Sequence, residues 1–105
     1  MSNTVTDQQI INKYISLKTN AKNRGLDFNL SLLSVKNLLT AERCYYTGKK
    51  LQKEQRSIDR VDSQKGYIKG NVVLCDIRLN KLKSDLDIKD IEKMVKRIRL
   101  RNKGI

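Results

Sequence analysis

The sequence predicts an α+β fold: a small helical domain built around a hairpin-plus-helix unit, with N-terminal and C-terminal helices packed on it. Two short β-type runs, 57–61 and 71–75, enclose a polar loop with two glycines, which is typical of a long-looped hairpin. Apolar residues at helical spacing follow in 76–85. A chain of 105 residues forms a single domain, 1–105, without room for a large enclosed pocket, so we expect a surface site.

The composition is strongly basic, with 23 Lys and Arg residues against 11 Asp and Glu residues and a formal net charge of +12. Nucleic acid is the first partner expected, because neutralising phosphates releases bound counterions. An anionic membrane surface is the weaker alternative, and no apolar run approaches the roughly 18 residues that span a bilayer. The N-terminus has no basic region followed by an apolar core, so we expect a cytoplasmic protein.

The first third of the chain predicts two helices. A capping box at Thr6 and the apolar spacing that follows predict a helix of roughly 18 residues that ends near Gly25. After an alternating segment at 26–30, Ser31 can cap a short second helix that ends at Leu39. The residues of this helix expected to face inward are Leu32, Val35, Leu38 and Leu39.

Two cysteines and no histidine limit the metal chemistry. Neither Cys44 nor Cys75 belongs to a C-x-x-C pair, and a Cys/His zinc site needs more ligands than two thiols. We therefore expect no zinc, and we expect Cys44 to be a small buried thiol rather than a reactive one. The lack of histidine also removes the usual general base near neutral pH.

Polar residues stand at unusual positions in the hairpin and in the helix after it. Strand alternation places Asp59 on the face opposite the apolar residue before it, and aspartate is disfavoured in strands. Asp59 either braces the loop, through backbone amides or Arg60, or belongs to a functional site. Asn80 and Lys83 share a polar helical face with Asp76, although Asn80 taken singly is simply a tolerated polar residue.

A basic C-terminal helix is predicted at 87–103, capped by Asp87 or Asp85. Its inward stripe is expected to consist of Ile88, Ile91, Val95 and Ile98. Its basic residues are Lys89, Lys93, Lys96, Arg97, Arg99, Arg101 and Lys103. Because only two acidic residues oppose them, we favour a role in tracking phosphates over a merely solvated face.

Four motifs in a fixed order resemble those of the HNH endonucleases, also known as His-Me finger or ββα-metal endonucleases. The motifs are 44–48 (CYYTG), 57–62 (SIDRVD), 65–75 (KGYIKGNVVLC) and 79–83 (LNKLK). The resemblance covers about 21–98, has its motif core at 44–85, and is nearest to small phage HNH proteins and the branch that includes endonuclease VII. It implies a DNA endonuclease or nickase that hydrolyses phosphodiester bonds with one divalent metal ion.

The resemblance also implies roles for individual residues. Asp59 matches the acidic metal ligand at the end of the first strand, and Asn80 matches the helix asparagine whose side-chain oxygen completes the site. The implied ion is Mg²⁺, or Mn²⁺ in its place, which suits a few oxygen ligands with water and substrate phosphate in the rest of the shell. Such an ion polarises the scissile phosphate and stabilises the leaving oxygen.

The sequence departs from the family pattern at Arg60, where most members have the histidine that activates water. Arginine stays protonated, so Arg60 is expected to contribute to catalysis by holding the phosphate or stabilising transition-state charge. Water would then be activated by the metal, by Asp62 or by the substrate. Lys83 stands where some relatives have an acidic ligand; it would repel a cation but could clamp a phosphate. Thr47 replaces a second cysteine, so the zinc knuckle of several relatives is degenerate.

In those relatives zinc stabilises the fold, and here hydrophobic packing is expected to take its place. The tyrosines expected to supply this packing are Tyr45, Tyr46 and Tyr67. Tyr67 has the alternative of stacking on an exposed base. The residues predicted to bind nucleic acid are Arg60, Lys65, Lys69, Arg78, Lys81, Lys83, Lys93, Lys96 and Arg97. The expected partner is DNA, including branched or nicked DNA, with RNA as an alternative.

The leading hypothesis is therefore an HNH-like, metal-dependent DNA endonuclease or nickase that lacks the general-base histidine. The main alternative is an HNH fold without catalysis that serves as a nucleic-acid-binding module. A third class is a basic, phage-encoded adaptor that grips another protein.

Overall fold

The structure is a computed structural model that describes residues 3–83 and 88–103; the side chains of Ile88 and Lys103 lie outside the description. Over this part of the chain it contains four α-helices and a two-stranded antiparallel sheet, which confirms the predicted α+β fold. Within the same residues, no helix combines the length and the apolar character needed to cross a bilayer.

Helix α1 (Asp7–Asn23) begins at the predicted capping box. The side chain of Thr6 accepts a hydrogen bond from the backbone N–H of Gln9 at 3.1 Å, and the Gln9 side chain accepts one from the backbone N–H of Thr6 at 2.8 Å. These bonds satisfy two N–H groups that a helix end would otherwise leave unpaired. The residues that α1 buries are Ile10, Leu17 and Ala21.

Helix α2 (Leu32–Leu39) begins at the predicted cap Ser31, whose hydroxyl accepts a hydrogen bond from the backbone N–H of Ser34 at 3.0 Å. It buries Val35 and Leu39. Leu32, which was expected to face inward, is exposed; it stands at the start of the first turn, ahead of the buried positions Val35 and Leu39.

The hairpin consists of β1 (Arg56–Arg60) and β2 (Val72–Asp76). Their register pairs Arg56 with Asp76, so β1 lies one residue earlier and β2 one residue later than predicted, each with the predicted length of five residues. A single turn of 3-10 helix, Lys53–Gln55, leads directly into β1.

Helix α3 (Ile77–Lys83) follows β2 without a loop. Its first turn is fixed by Asp76, whose Oδ1 accepts a hydrogen bond from the backbone N–H of Arg78 at 3.0 Å. The predicted continuation to Asp85 lies outside the described residues.

The two faces of the hairpin contact different helices. Ile58 faces the core shared with α2, and the neighbouring Arg56 donates to the backbone carbonyl oxygen of Leu39 at 2.9 Å. Ser57 and Asp59 point to the opposite face, because successive strand residues alternate. Helix α3 contacts β1 and β2 on that opposite face, so the polar side of β1 meets the polar side of α3.

The loop between the strands is held by Asn71 and by the segment that precedes α2. The Asn71 side chain donates to the carbonyl oxygens of Asp62 and Gly66 at 3.1 and 2.9 Å, and it accepts from the backbone N–H of Asp62 at 2.9 Å. The backbone N–H of Tyr67 donates to the carbonyl oxygen of Asp27 at 2.9 Å. The loop is therefore an ordered part of the fold.

Helix α4 (Ile88–Lys103) corrects one prediction. The expected inward stripe is exposed at Val95 (37%) and Ile98 (53%), as is the neighbouring Met94. The reason is that α4 shares no extensive contact with the other elements of the described residues. The radius of gyration, 15.6 Å, also exceeds the roughly 13 Å of a compact chain of this length.

Stability is expected to fall as the pH drops from about 4 to 2, because of Asp76. The hydrogen bonds and charge of Arg78 lower the pKa of Asp76 from 3.8 to about 2. A carboxylate with a lowered folded-state pKa contributes stability above the unfolded value, and the contribution is lost as the pH falls through the folded value. Urea unfolding at several pH values should therefore give a shallower decline for Arg78→Gln than for the unaltered chain; equal slopes would contradict this assignment.

Candidate functional site

The candidate site is centred on Asp59, which lies on β1 and faces α3. Its side chain is only 9% exposed. Oδ2 accepts a hydrogen bond from the Tyr46 hydroxyl at 2.7 Å and forms an ion pair with the Lys83 ammonium. A buried carboxylate is stable only when it is paired and hydrogen-bonded, and both partners are present here.

Lys83 brings a positive charge into a group of oxygen atoms. Besides Asp59, its Nζ lies 2.6 Å from the Tyr46 hydroxyl and 3.4 Å from the backbone carbonyl oxygen of Arg60. The ammonium also lies 4.6 Å from the centre of the Tyr46 ring, within the range of a cation–π contact. Three oxygen atoms from three residues therefore surround one cation.

Tyr46 is a site residue that the sequence reasoning assigned to packing alone. Burial, and then the hydrogen bond to Asp59, raise its pKa above the ordinary value of 10.0. The phenol consequently stays protonated near neutral pH and donates to the carboxylate. The sequence signal was its position in the 44–48 motif, but its partners are 13 and 37 residues away along the chain.

Asn80 lies on the same face of the hairpin as Asp59 but contacts a different residue. Its Nδ2 donates to the Ser57 hydroxyl at 2.6 Å. Because Ser57 precedes Asp59 by two residues on one strand face, and Lys83 follows Asn80 by about one helical turn, the axis of α3 runs along β1. The contact made directly with Asp59 is therefore that of Lys83.

Arg60 braces the loop. One guanidinium nitrogen donates to the carbonyl oxygens of Ser63 and Lys65, each at 2.9 Å. The guanidinium also lies 5.4 Å from the centre of the Tyr67 ring. Tyr67 is buried, so the alternative of stacking on an exposed base is wrong and its packing role holds. Tyr45, in contrast, is exposed and does not pack in the core.

The oxygen atoms around Lys83 are of the types that bind hard cations. A carboxylate and a backbone carbonyl oxygen are hard ligands of the kind that Mg²⁺ prefers, and here the Lys83 ammonium is the cation that they surround. No group of three His, Cys, Asp or Glu residues that could hold a metal occurs within 3–83 and 88–103. An ion at Asp59 would therefore complete its shell with water and phosphate.

Both cysteines are buried free thiols, as expected for Cys44. The sulfur of Cys44 accepts a hydrogen bond from the backbone N–H of Asp76 at 3.4 Å. Burial raises the pKa of Cys75 from 9.0 to about 12, so this thiol stays protonated. The two residues support the junction between β2 and α3 by packing.

The residues predicted to bind nucleic acid fall into three groups. Those with exposed side chains on the loop and on α3 and α4 are Lys65, Lys69, Lys81, Lys93, Lys96 and Arg97. Arg78 is exposed but paired with Asp76 at 2.6 Å. Arg60 and Lys83 are half-buried and bonded within the protein.

The α+β fold is similar to that of an HNH endonuclease of known structure. The structure is similar to that of the rare-cutting HNH restriction endonuclease PacI, with a TM-score of 0.56 over 99% of this chain and 94% of PacI, at 17% identity. PacI exhibits a mechanism of DNA perturbation. At this level of identity the likeness concerns the architecture alone.

Two relatives in sequence are viral, and no family model matches the chain. An uncharacterized 29.0 kDa protein of Enterobacteria phage T4 is 35% identical over 78 residues, which cover 70% of this chain and 32% of the relative. An uncharacterized protein of Acanthamoeba polyphaga mimivirus is 32% identical over 76 residues, which cover 72% of this chain and 14% of the relative. This chain thus spans at most about a third of either relative.

Proposed function

We propose that the chain is an HNH-type endonuclease or nickase that cleaves phosphodiester bonds in DNA with Mg²⁺ or Mn²⁺. The observation that carries the proposal is the buried Asp59 carboxylate, on the hairpin of an HNH nuclease fold and within a set of oxygen atoms that surround a cation. The net charge of +12 supports nucleic acid as the substrate.

The residues that would hold the ion are Asp59, the carbonyl of Arg60 and the amide of Asn80. When bound, the ion supplies charge for the scissile phosphate and the leaving oxygen. The hydrogen bond from Asn80 to Ser57 fixes the amide through its nitrogen, which keeps its oxygen as the acceptor. Tyr46 orients the carboxylate by donating to Oδ2.

Proton removal from water is the step for which the described residues offer few groups. Arg60 stays charged, and the raised pKa of Tyr46 excludes it as a base near neutral pH. Asp62 is a carboxylate on the loop, where its Oδ1 accepts a hydrogen bond from the backbone N–H of Gln64 at 2.9 Å. Asp62 is therefore the side chain proposed to accept the proton, unless the substrate phosphate does so.

The test is incubation of supercoiled plasmid with the protein and Mg²⁺ or Mn²⁺, with EDTA as the control. Nicked or linear plasmid formed with the metals and absent with EDTA is the expected result. Intact plasmid with both metals, at concentrations where the protein is bound to DNA, would contradict catalysis and leave the second candidate.

The second candidate is an HNH fold that binds nucleic acid without cleaving it. It is favoured by two contacts: Arg60 is bonded to loop carbonyl oxygens, and Lys83 is paired with Asp59. In this case the site would hold a backbone phosphate without any chemistry, and binding would be independent of divalent ions.

Both candidates predict that binding weakens steeply with salt. If about six phosphates are neutralised, the logarithm of affinity should fall with the logarithm of salt concentration at a slope near −5. Neutralising Lys93, Lys96 and Arg97 to glutamine should reduce the magnitude of the slope by about three. Fluorescence anisotropy with labelled DNA at several salt concentrations measures both slopes. A slope near zero would contradict both candidates and favour a protein partner.

A further inference from the structure

We propose that Lys83 and a divalent ion compete for the same oxygen atoms, so that the free protein keeps the ion out and DNA admits it. The inference rests on the proposed function, because it concerns the same site. It names Lys83 as the residue that controls access to Asp59.

The ammonium of Lys83 lies directly beside the Asp59 carboxylate. Nζ of Lys83 contacts Asp59, the Tyr46 hydroxyl and the carbonyl oxygen of Arg60, and the side chain is only 13% exposed. A fully solvated lysine side chain would make none of these three contacts. This one fills the space beside the carboxylate that an ion would need.

The charges of Lys83 and a divalent ion have the same sign. Two positive charges within about 4 Å repel each other strongly at the effective dielectric constant of a protein surface. A divalent ion bound to Asp59 therefore excludes the Lys83 ammonium from its present position. Conversely, the ion must replace the hydrogen bonds and the ion pair that Lys83 now makes, which weakens its affinity for the free protein.

The side chain of Lys83 is anchored on α3 rather than on the hairpin, and four methylene groups separate its backbone from the ammonium. The ammonium can therefore leave Asp59 for a phosphate without any change in the hairpin. A phosphate bound at the site would attract Lys83 and release the carboxylate, so metal and DNA should bind with positive cooperativity.

The experiment measures Mn²⁺ affinity by electron paramagnetic resonance of the free ion, on the full chain without DNA. Lys83→Met and Lys83→Gln should each bind Mn²⁺ at least tenfold more tightly than the unaltered chain. Lys18→Met removes the same charge from an exposed position on α1 and should change the affinity less than twofold. Circular dichroism and thermal melting verify that the variants are folded.

The gained ion must lie on Asp59, so Lys83→Met combined with Asp59→Asn should return the affinity to that of the unaltered chain. The proposal is overturned if neither Lys83 variant gains affinity, or if the double variant keeps the gain. A gain without any plasmid nicking would support this inference and contradict the proposed catalysis. Nicking without a gain would do the reverse.

A measurement on the unaltered chain tests the same competition without substitutions. Reductive methylation followed by mass spectrometry reports how accessible each lysine is. Saturating Mn²⁺ should speed the methylation of Lys83 at least threefold and leave Lys18 unchanged. An unchanged rate at Lys83 would overturn the proposal.

Discussion

Replacing Asp59 with alanine is expected to slow the nicking of supercoiled plasmid at least a hundredfold, while the affinity for DNA changes less than about twofold. A hundredfold corresponds to about 2.7 kcal/mol of lost transition-state stabilisation, within the range of a single preorganised charged group. Affinity should be kept because the substitution removes a negative charge beside the proposed phosphate-binding surface and leaves every basic residue in place.

The matched control is Glu54→Ala, which removes a carboxylate from the 3-10 turn, away from the site. It should leave the nicking rate within about twofold of the unaltered chain. Because Asp59→Ala leaves the half-buried Lys83 without its ion-pair partner, thermal melting must accompany the assay. Nicking by a folded Asp59→Ala variant at the original rate would exclude Asp59 from the site.

Local chemistry explains why so much of the fold was predictable. The starts of α1 and α2 are set by the capping side chains of Thr6 and Ser31. Each cap bonds to a residue only three positions along the chain. The hairpin follows from two β-type runs and a loop whose glycines and Asn71 favour turns. These signals lie within a few residues of the structure they specify, so no tertiary information was needed.

The arrangement of the site depended on tertiary contacts that the sequence does not display. Asp59 and Asn80 were predicted to share an ion, and the hydrogen bond from Asn80 to Ser57 places both residues on the same face of β1. The direct partner of Asp59 is Lys83, 24 residues away. Spacing along α3 put Asn80 and Lys83 on one face, but only the position of α3 along β1 decides which of them reaches the carboxylate.

For helix α4 the sequence predicted the secondary structure but not the burial of its apolar residues. Its apolar stripe correctly predicted a helix, because the spacing of apolar residues reflects backbone geometry. The same stripe could not tell whether the chain itself provides a surface to cover it. Val95 and Ile98 are exposed because α4 shares no extensive contact with the other elements of the described residues, although periodicity alone suggested burial.

Replacing Gly66 with alanine is expected to lower the free energy of unfolding by about 3 kcal/mol or more, among the largest losses from a single methyl group. A Cβ at this position would overlap the carbonyl oxygen of Asp27 and lie 2.7 Å from its backbone nitrogen. Neither side can yield cheaply. The Asp27 carbonyl accepts from the backbone N–H of Tyr67 at 2.9 Å, and the Gly66 carbonyl accepts from Asn71 at 2.9 Å.

Gly48→Ala separates this overlap from the general effect of losing a glycine. Gly48 has a φ of +72°, and apart from Gly48 and its two chain neighbours no heavy atom of the described residues lies within 4 Å of the place that an added methyl group would take. Alanine there should therefore cost only about 1–2 kcal/mol of backbone strain. Urea unfolding followed by circular dichroism gives both values. Gly66 packs against the segment before α2, so this contact is expected to hold the loop against the helical part of the fold. If Gly66→Ala lowers the free energy of unfolding no more than Gly48→Ala does, the contact does not have that role.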